Sequence, residues 1–427
     1  MELYAYVKAF PEQSVILSGL LIMTCLVKNN PEDYHRSLRL YLLTCTIAFL
    51  SVFFNEKDFF HNEFIMKGDF SDMLTQTAYV IAICCGFFVK KDAYKHKQEV
   101  LMLMLIALIG FKVVIDAQHL MSLFLGVELL SFPLYALIGL SPMPYSTESA
   151  LKYYLQGSMI SALFLYGCSW LYGITASFDM LLLLSAFNSS ILSLLSGILV
   201  LGLFLFKLGL IPFHFWIFDL YHQAQRSLIF FISLIPKLAL LVVISKFLKY
   251  SSLNWTPVFI AVILVSTLWG NIGAFKQESI QRLLGYASLA QIAFALSGLL
   301  MNSTFGLASS LIFIVVYGVG LFFVLIGIHK FNFNDPIPLF KMDGLVEQDK
   351  FGAWMMTFGL LSLAGVPPFP GFFSKILIIY ELINTQFILL AALLLGMSIF
   401  SCAYYIGLIA RLHYTDSAKM GLNKMSF

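Results

Sequence analysis

This chain predicts an all-α polytopic membrane protein with about thirteen spans, on three observations. Hydrophobic residues make up 60% of its 427 residues and charged residues only 11%, against roughly 45–50% and about 25% in soluble domains. The apolar residues gather in runs near the length of about 20 residues that a helix needs to cross a bilayer. Those runs lack the polar–apolar alternation of barrel strands, and an open sheet cannot satisfy its backbone in lipid.

In chain order, runs at 14–28, 38–54 and 73–89 come first. Runs at 100–115, 120–141, 149–173, 190–218 and 228–248 follow, then 256–275, 283–302, 304–328, 352–383 and 386–410. The links are mostly short, the longest being 55–72 and 329–351. The second, HKFNFNDPIPLFKMDGLVEQDK, is polar with two prolines and reads as a surface segment between two bundles. The opening MELYAYVKAFPEQS has no basic start and no cleavage site, so no removable signal peptide is expected.

Two runs are long and interrupted. The run 190–218 breaks at Pro212, within LFLFKLGLIPFHFW. The run 352–383 breaks at GVPPFPGFFSK, which holds Pro367, Pro368 and Pro370. Proline removes a helix hydrogen bond, and paired broken helices are the sequence mark of a transporter core.

Basic residues set an orientation. With the N-terminus outside, the inner links hold Lys28, Arg36, Arg39, Lys90, Lys91, Lys95, Lys97, Arg226, Lys276, Arg282, Lys330, Lys341, Lys350, Arg411, Lys419 and Lys424. The outer links hold only Lys8, Lys57, Lys67, Lys246 and Lys249. That asymmetry obeys the positive-inside rule and puts the C-terminus inside.

The remaining basic residues, Lys112, Lys152, Lys207, Lys237 and Lys375, lie within or at the edge of spans. A lysine at mid-span costs about 2.5–3.5 kcal/mol on insertion scales, so such residues face protein or water. Lys112 is at the outer end of its span and can snorkel. Lys152 can snorkel or pair with Glu128, the acid deepest in a span; Asp116 and Glu148 lie at span edges. Desolvation unloads a lysine and a nearby carboxylate reloads it, whereas an arginine stays charged, so a row of lysines with one glutamate suits proton transfer. His214 either extends such a relay or is a satisfied polar residue, and Pro212 beside it frees a carbonyl to hold water.

Other chemistry finds no support. Cys25, Cys45, Cys84, Cys85, Cys168 and Cys402 all fall in apolar segments without CxxC spacing, as buried small hydrophobes do. No nucleotide loop, zinc motif or GxSxG is present, so no cofactor, metal or nucleic acid is expected on this chain.

The stretches HLMSLFLGVELLSFPLYALIGL (119–140), SALKYYLQGSMISALFLYGCSWLYG (149–173), FKLGLIPFHFWIFDLY (206–221), IPKLALL (235–241), QRLLGYASLAQIAFALSGLL (281–300) and LSLAGVPPFPGFFSKILI (361–378) carry a family resemblance. The chain resembles the antiporter-like membrane subunits of respiratory complex I, the NADH–quinone oxidoreductase, from about residue 100 to 410. The resemblance implies a three-helix segment over 1–99, two inverted five-helix repeats over 100–250 and 251–410, each with one broken helix, and a tail over 411–427. It puts the proton path on Glu128, Lys152, Lys207, Lys237 and Lys375, with Gln291 standing where many members carry a histidine. HQAQRSL (222–228) replaces a small-residue, proline-rich segment, and bacterial members usually end with one more helix. The implied function is proton translocation coupled to electron transfer in partner subunits, which would hold NADH, FMN, iron–sulfur clusters and quinone. Expected partners are other complex I membrane subunits, antiporter-like ones included, and the lipid bilayer. The expected location is the bacterial inner membrane, with the mitochondrial inner membrane as the alternative. A subunit of a multi-subunit cation/proton antiporter is the rival reading.

Overall fold

A computed structural model describes residues 11–29, 34–54, 61–62, 65–66, 69–185, 187, 190–331 and 336–414. Lys8, Lys57, Lys67, Lys419 and Lys424, and the tail beyond Tyr414, lie outside the described residues. The chain divides into two compact units, residues 1–204 with 224–253, and 205–223 with 254–427.

The first unit opens with α1 (Pro11–Asn29), α2 (Tyr34–Ser51) and α3 (Asp69–Lys91), with a short antiparallel ribbon of β1 (His61–Asn62) and β2 (Ile65–Met66) between the last two. Then come α4 (Lys97–Asp116), α5 (Leu120–Gly139), α6 (Ser146–Thr175), a short α7 (Met180–Ser185) and α8 (Ile191–Leu208), whose last turn from Leu205 belongs to the second unit. α10 (Arg226–Tyr250) completes it. Small residues let α4 and α5 approach closely: a Cβ on Gly110 would come within 2.8 Å of the Leu130 Cα. In lipid, such backbone approach supplies the packing that the hydrophobic effect cannot.

The second unit holds α9 (Phe215–Gln223), α11 (Thr256–Phe275), α12 (Ile280–Ser297), α13 (Thr304–Lys330), α14 (Lys350–Ala364), α15 (Pro370–Asn384) and α16 (Ile388–His413). α13 and α14 meet along glycines. A Cβ on Gly359 would lie 2.5 Å from the Gly320 carbonyl oxygen, and one on Gly327 would lie 2.7 Å from that of Gly352. Side-chain caps start both helices: Ser303 accepts from the Gly306 N–H at 2.8 Å, and Asp349 accepts from Phe351 at 2.9 Å. Each such cap contributes about 1 kcal/mol.

Each unit contains the same backbone bridge. Leu120 donates its N–H to the Phe178 carbonyl and Met180 to that of Gln118; likewise Ile280 donates to Ile337 and Leu339 to Glu278. In both cases the start of a helix is pinned to the segment leading towards a broken one. The polar segment expected to link two bundles is thus tied into the second unit. Gly344 also donates to the Arg411 carbonyl, and Asp343 pairs with Arg411 at 3.7 Å.

Ten helices among the described residues are long and apolar enough to cross a membrane. The expected thirteen is reached only by adding α1, α2 and the joined pair α14–α15 to those ten. α10 is the most enclosed of these: the whole of its most apolar window is buried, whereas α16 buries about a third of its own. The chain is therefore an all-α, multi-pass membrane protein, as its composition predicts.

Candidate functional site

Both expected helix breaks are present, and they share one backbone motif. At the first, α8 ends at Leu208, Gly209 takes a left-handed conformation (φ +73°), and the Ile211–Pro212 peptide is cis. At the second, α14 ends at Ala364, Gly365 is left-handed (φ +80°), and Pro367–Pro368 is cis. Leu210 donates back to the Leu205 carbonyl at 2.9 Å and Val366 to that of Leu361 at 3.2 Å, the pattern of a glycine-terminated helix. A left-handed residue costs about 1–2 kcal/mol with a side chain, which is why glycine stands at both points. Pro370 sits at the first position of α15, where its missing N–H costs nothing. The first broken span is longer than its sequence indicated, since α9 carries it to Gln223.

A helix end leaves its last carbonyls without partners and concentrates negative partial charge there. Lys375, on α15 and buried, answers this at the second break. Its Nζ donates to the Ala364 carbonyl at 2.8 Å and to the Ser398 hydroxyl at 2.9 Å. Gln291 donates to the adjacent Leu363 carbonyl at 3.2 Å, and the Cys402 thiol reaches Ala364 at 3.3 Å. Lys375, Gln291, Asn271, Thr267, Ser398 and Ser401 line a cavity of about 10 Å³, room for one water. Lys375 and Gln291, expected separately, are brought together here; Ser398 is a partner with no signal in the sequence, because only the fold carries α16 to this point.

At the first break the surroundings are aromatic. Lys207 is buried in the last turn of α8. The indole N–H of Trp216 donates to the Phe206 carbonyl at 3.0 Å, and the Ile211 N–H donates to Ser266 at 3.2 Å. His214 is buried beside Phe215, Phe218 and Trp269, with ring centroids 4.2, 5.6 and 6.1 Å away. The Pro212 backbone is the polar group beside its ring, in poor hydrogen-bond geometry.

In the first unit, Glu128 is half-buried on α5 and accepts from the Ser161 hydroxyl at 2.5 Å. Pro133 interrupts the same helix, leaving the Leu129 carbonyl without its usual donor. Lys237 is buried on α10 directly after Pro236. Since α10 is enclosed in protein, Lys237 is kept from lipid. Lys152 differs from its companions. Its side chain is 48% exposed, and it pairs with Glu148, one turn earlier, at 2.7 Å.

Two basic residues do not behave as their positions suggested. Lys112 does not snorkel: it is 1% exposed and pairs with three carboxylates. Lys246, counted among the outer-link residues, is half-buried and donates to the Ile115 and Ala117 carbonyls at 3.0 and 3.2 Å, covering the end of α4. A buried Asp92 was also unforeseen. It accepts from the Ser227 N–H at 2.9 Å at the start of α10 and lies 3.7 Å from Arg226.

Paired glycine–proline breaks, with a lysine buried beside each, define an antiporter-like membrane protein. The model of the NADH:quinone oxidoreductase/Mrp antiporter membrane family matches residues 117–401, more than half of the chain, and the chain belongs to that family. Within it, the similarity runs to NADH-quinone oxidoreductase subunit N. The chain is 30% identical to subunit N of Ruthia magnifica over 95% of its own length and 87% of the relative's. It is 32% identical to that of Laribacter hongkongensis over 75% and 68%. A chain in the structure of respiratory complex I from Thermus thermophilus matches with a TM-score of 0.83 and 25% identity, over 95% of this chain and 90% of that one.

Proposed function

We propose that this chain is a proton-translocating membrane subunit of an NADH–quinone oxidoreductase, assembled with other antiporter-like subunits. In this reading it does no redox chemistry. NADH, FMN, iron–sulfur clusters and quinone belong to partner subunits, whose electron transfer changes the charge state of Glu128, Lys152 and Lys207. A proton then passes along Lys207, Lys237 and Lys375, with His214 and Gln291 holding water or relaying. The N-terminus lies outside and the C-terminus inside a bacterial inner membrane.

The observation that carries this reading is the second break. Lys375 is buried, yet its amine has only neutral partners among its hydrogen bonds, a carbonyl and a hydroxyl, and a water-sized cavity adjoins it. Such an amine can hold or give up a proton without breaking an ion pair. The shared backbone of the two breaks supports a second station at Lys207.

The test is Lys207→Met in the assembled complex, read as protons moved per electron in sealed vesicles. The expected result is a lowered ratio. A fully assembled complex pumping at the wild-type ratio would overturn the path. The family description also names Mrp antiporters, which supports the rival reading of a cation/proton antiporter subunit. Purifying the tagged chain separates the two: flavin and iron–sulfur subunits come with it only in the first case.

A further inference from the structure

Away from the broken helices, four ionisable side chains meet inside the first unit. Lys112 on α4 lies 3.2 Å from Asp116, 3.3 Å from Asp72 and 3.6 Å from Glu12. Its Nζ also donates to the Ser71 hydroxyl at 3.1 Å, and that hydroxyl donates to Asp116. Glu12, Asp116 and Lys112 are at most 1% exposed, and Asp72 is 14% exposed. The four residues come from α1, α3 and α4, so three helices converge on one lysine.

Among the described residues, three carboxylates against one ammonium leave two negative charges in excess. Lys246 also interacts with Asp116 and offsets part of this. Burying an uncompensated charge is costly, and carboxylates that share a site resolve the cost by sharing a proton. The hydrogen-bond pattern agrees. Among the described residues, neither oxygen of the fully buried Glu12 receives a hydrogen bond, the Lys112 amine standing 3.6 Å from its nearer oxygen. The buried Tyr79 hydroxyl, which senses the charges of Glu12, Asp72 and Asp116, also lacks a partner. No three His, Cys, Asp or Glu side chains among the described residues are placed to hold a metal ion.

Ser71 connects this cluster to open space. It lines a cavity of about 250 Å³ together with Ile115, Ala117, Asp179, Lys246 and Tyr250. That volume holds several waters. We propose that Glu12, Asp72, Lys112 and Asp116 form a second proton-holding site, which exchanges protons with this cavity through the Ser71 hydroxyl. A proton arriving at the Ser71 oxygen from cavity water is matched by the one Ser71 passes to Asp116. The hydroxyl is regenerated, and one proton enters the cluster. The site does not depend on the Lys207–Lys237–Lys375 path, and it would stand if that path failed.

The experiment is infrared spectroscopy of the purified full chain in lipid nanodiscs at neutral pH, in H2O and D2O. The wild type should show a deuterium-sensitive carbonyl stretch of a protonated carboxyl group. E12Q and D116N should each lose it, and E128Q should keep it. D72N, at the least buried position, is the variant least prone to misfold and should weaken or lose it too. S71A should keep the band but exchange deuterium several-fold more slowly. Spectra of folded E12Q, D72N and D116N that overlay the wild type in this region would overturn the proposal. So would loss of the wild-type band when sodium replaces choline in the buffer, because the cluster would then be a cation site.

Discussion

Gly209 and Gly365 each end a helix in the left-handed conformation, and a cis proline follows each, at Pro212 and Pro368. The lysines beside these breaks sit on opposite arms. Lys207 lies before its break, within the last turn of α8; Lys375 lies after its break, on α15, and reaches back to the end of α14. Their surroundings differ as well. Hydroxyl and amide side chains gather round Lys375, whereas Trp216, Phe215, Phe218 and Trp269 crowd the first break. A chain can thus reuse one backbone device and fill it with different chemistry. The break supplies free carbonyls, and the side chains decide whether a lysine or an indole answers them.

The largest expected effect separates the two lysines by the bonds they make. Lys375→Met removes the amine from Ala364 and Ser398, and proton transport per electron should fall by about a hundredfold or more, the scale of losing a proton-transfer group. Lys375→Arg should not rescue it, since a guanidinium does not release its proton. Vesicle acidification measured alongside electron transfer checks both. Transport at the wild-type ratio in Lys375→Met would remove the second break from the path.

Next come the glycines. Gly209→Ala and Gly365→Ala should each lose about 1–2 kcal/mol of stability from the left-handed backbone. They should differ in transport. The new methyl at 365 would lie 2.9 Å from the Lys375 Cδ and 3.0 Å from its Nζ, pushing the amine off Ala364. At 209 it meets the end of the Ile217 side chain at 3.0 Å, which can yield. Thermal unfolding should therefore shift similarly in both variants, while transport drops only in Gly365→Ala. A smaller effect follows for the groups that satisfy the helix ends. Trp216→Phe removes the indole donor from the Phe206 carbonyl, which keeps the Gly209 N–H at 2.9 Å, and should cost about 0.5–1.5 kcal/mol. Gln291→Leu should do the same to Leu363 and additionally slow transport, because that glutamine lines the water-sized cavity.

The breaks and the charges beside them were legible in the sequence, because proline, glycine and an intramembrane lysine each announce themselves locally. The shared glycine conformation was not, since it depends on hydrogen bonds that close only in the folded turn. Lys112 shows the limit more sharply. Its place near the end of a run reads as snorkelling, yet Glu12 and Asp72, on two other helices, turn it inward. Position along one helix cannot report partners supplied by the packing of three. Lys152 shows the converse: expected to snorkel or pair with Glu128, it is half-exposed and bonded to Glu148, a residue that the sequence placed only at a span edge. Ser398 and Cys402 became partners of the second break solely because α16 returns to it.

His214 gives the smallest expected effect and the finest test of the difference between the breaks. Its ring is buried among aromatic side chains, and the Pro212 backbone is its polar neighbour, in poor hydrogen-bond geometry. Polar atoms left so are a stability cost, and an apolar ring of similar shape removes it. His214→Phe should therefore raise the unfolding temperature, by the equivalent of about 1 kcal/mol. No such gain is expected from Gln291→Leu, whose amide is bonded. If the histidine is kept for proton transfer, the same variant should slow transport several-fold, and His214→Gln, which holds water without titrating, should not restore it. Full transport in His214→Gln would reduce the residue to a water holder and leave Lys207 as the titrating group of the first break. A His214→Phe protein no more stable than the wild type would mean that the ring nitrogens are satisfied in the assembled protein.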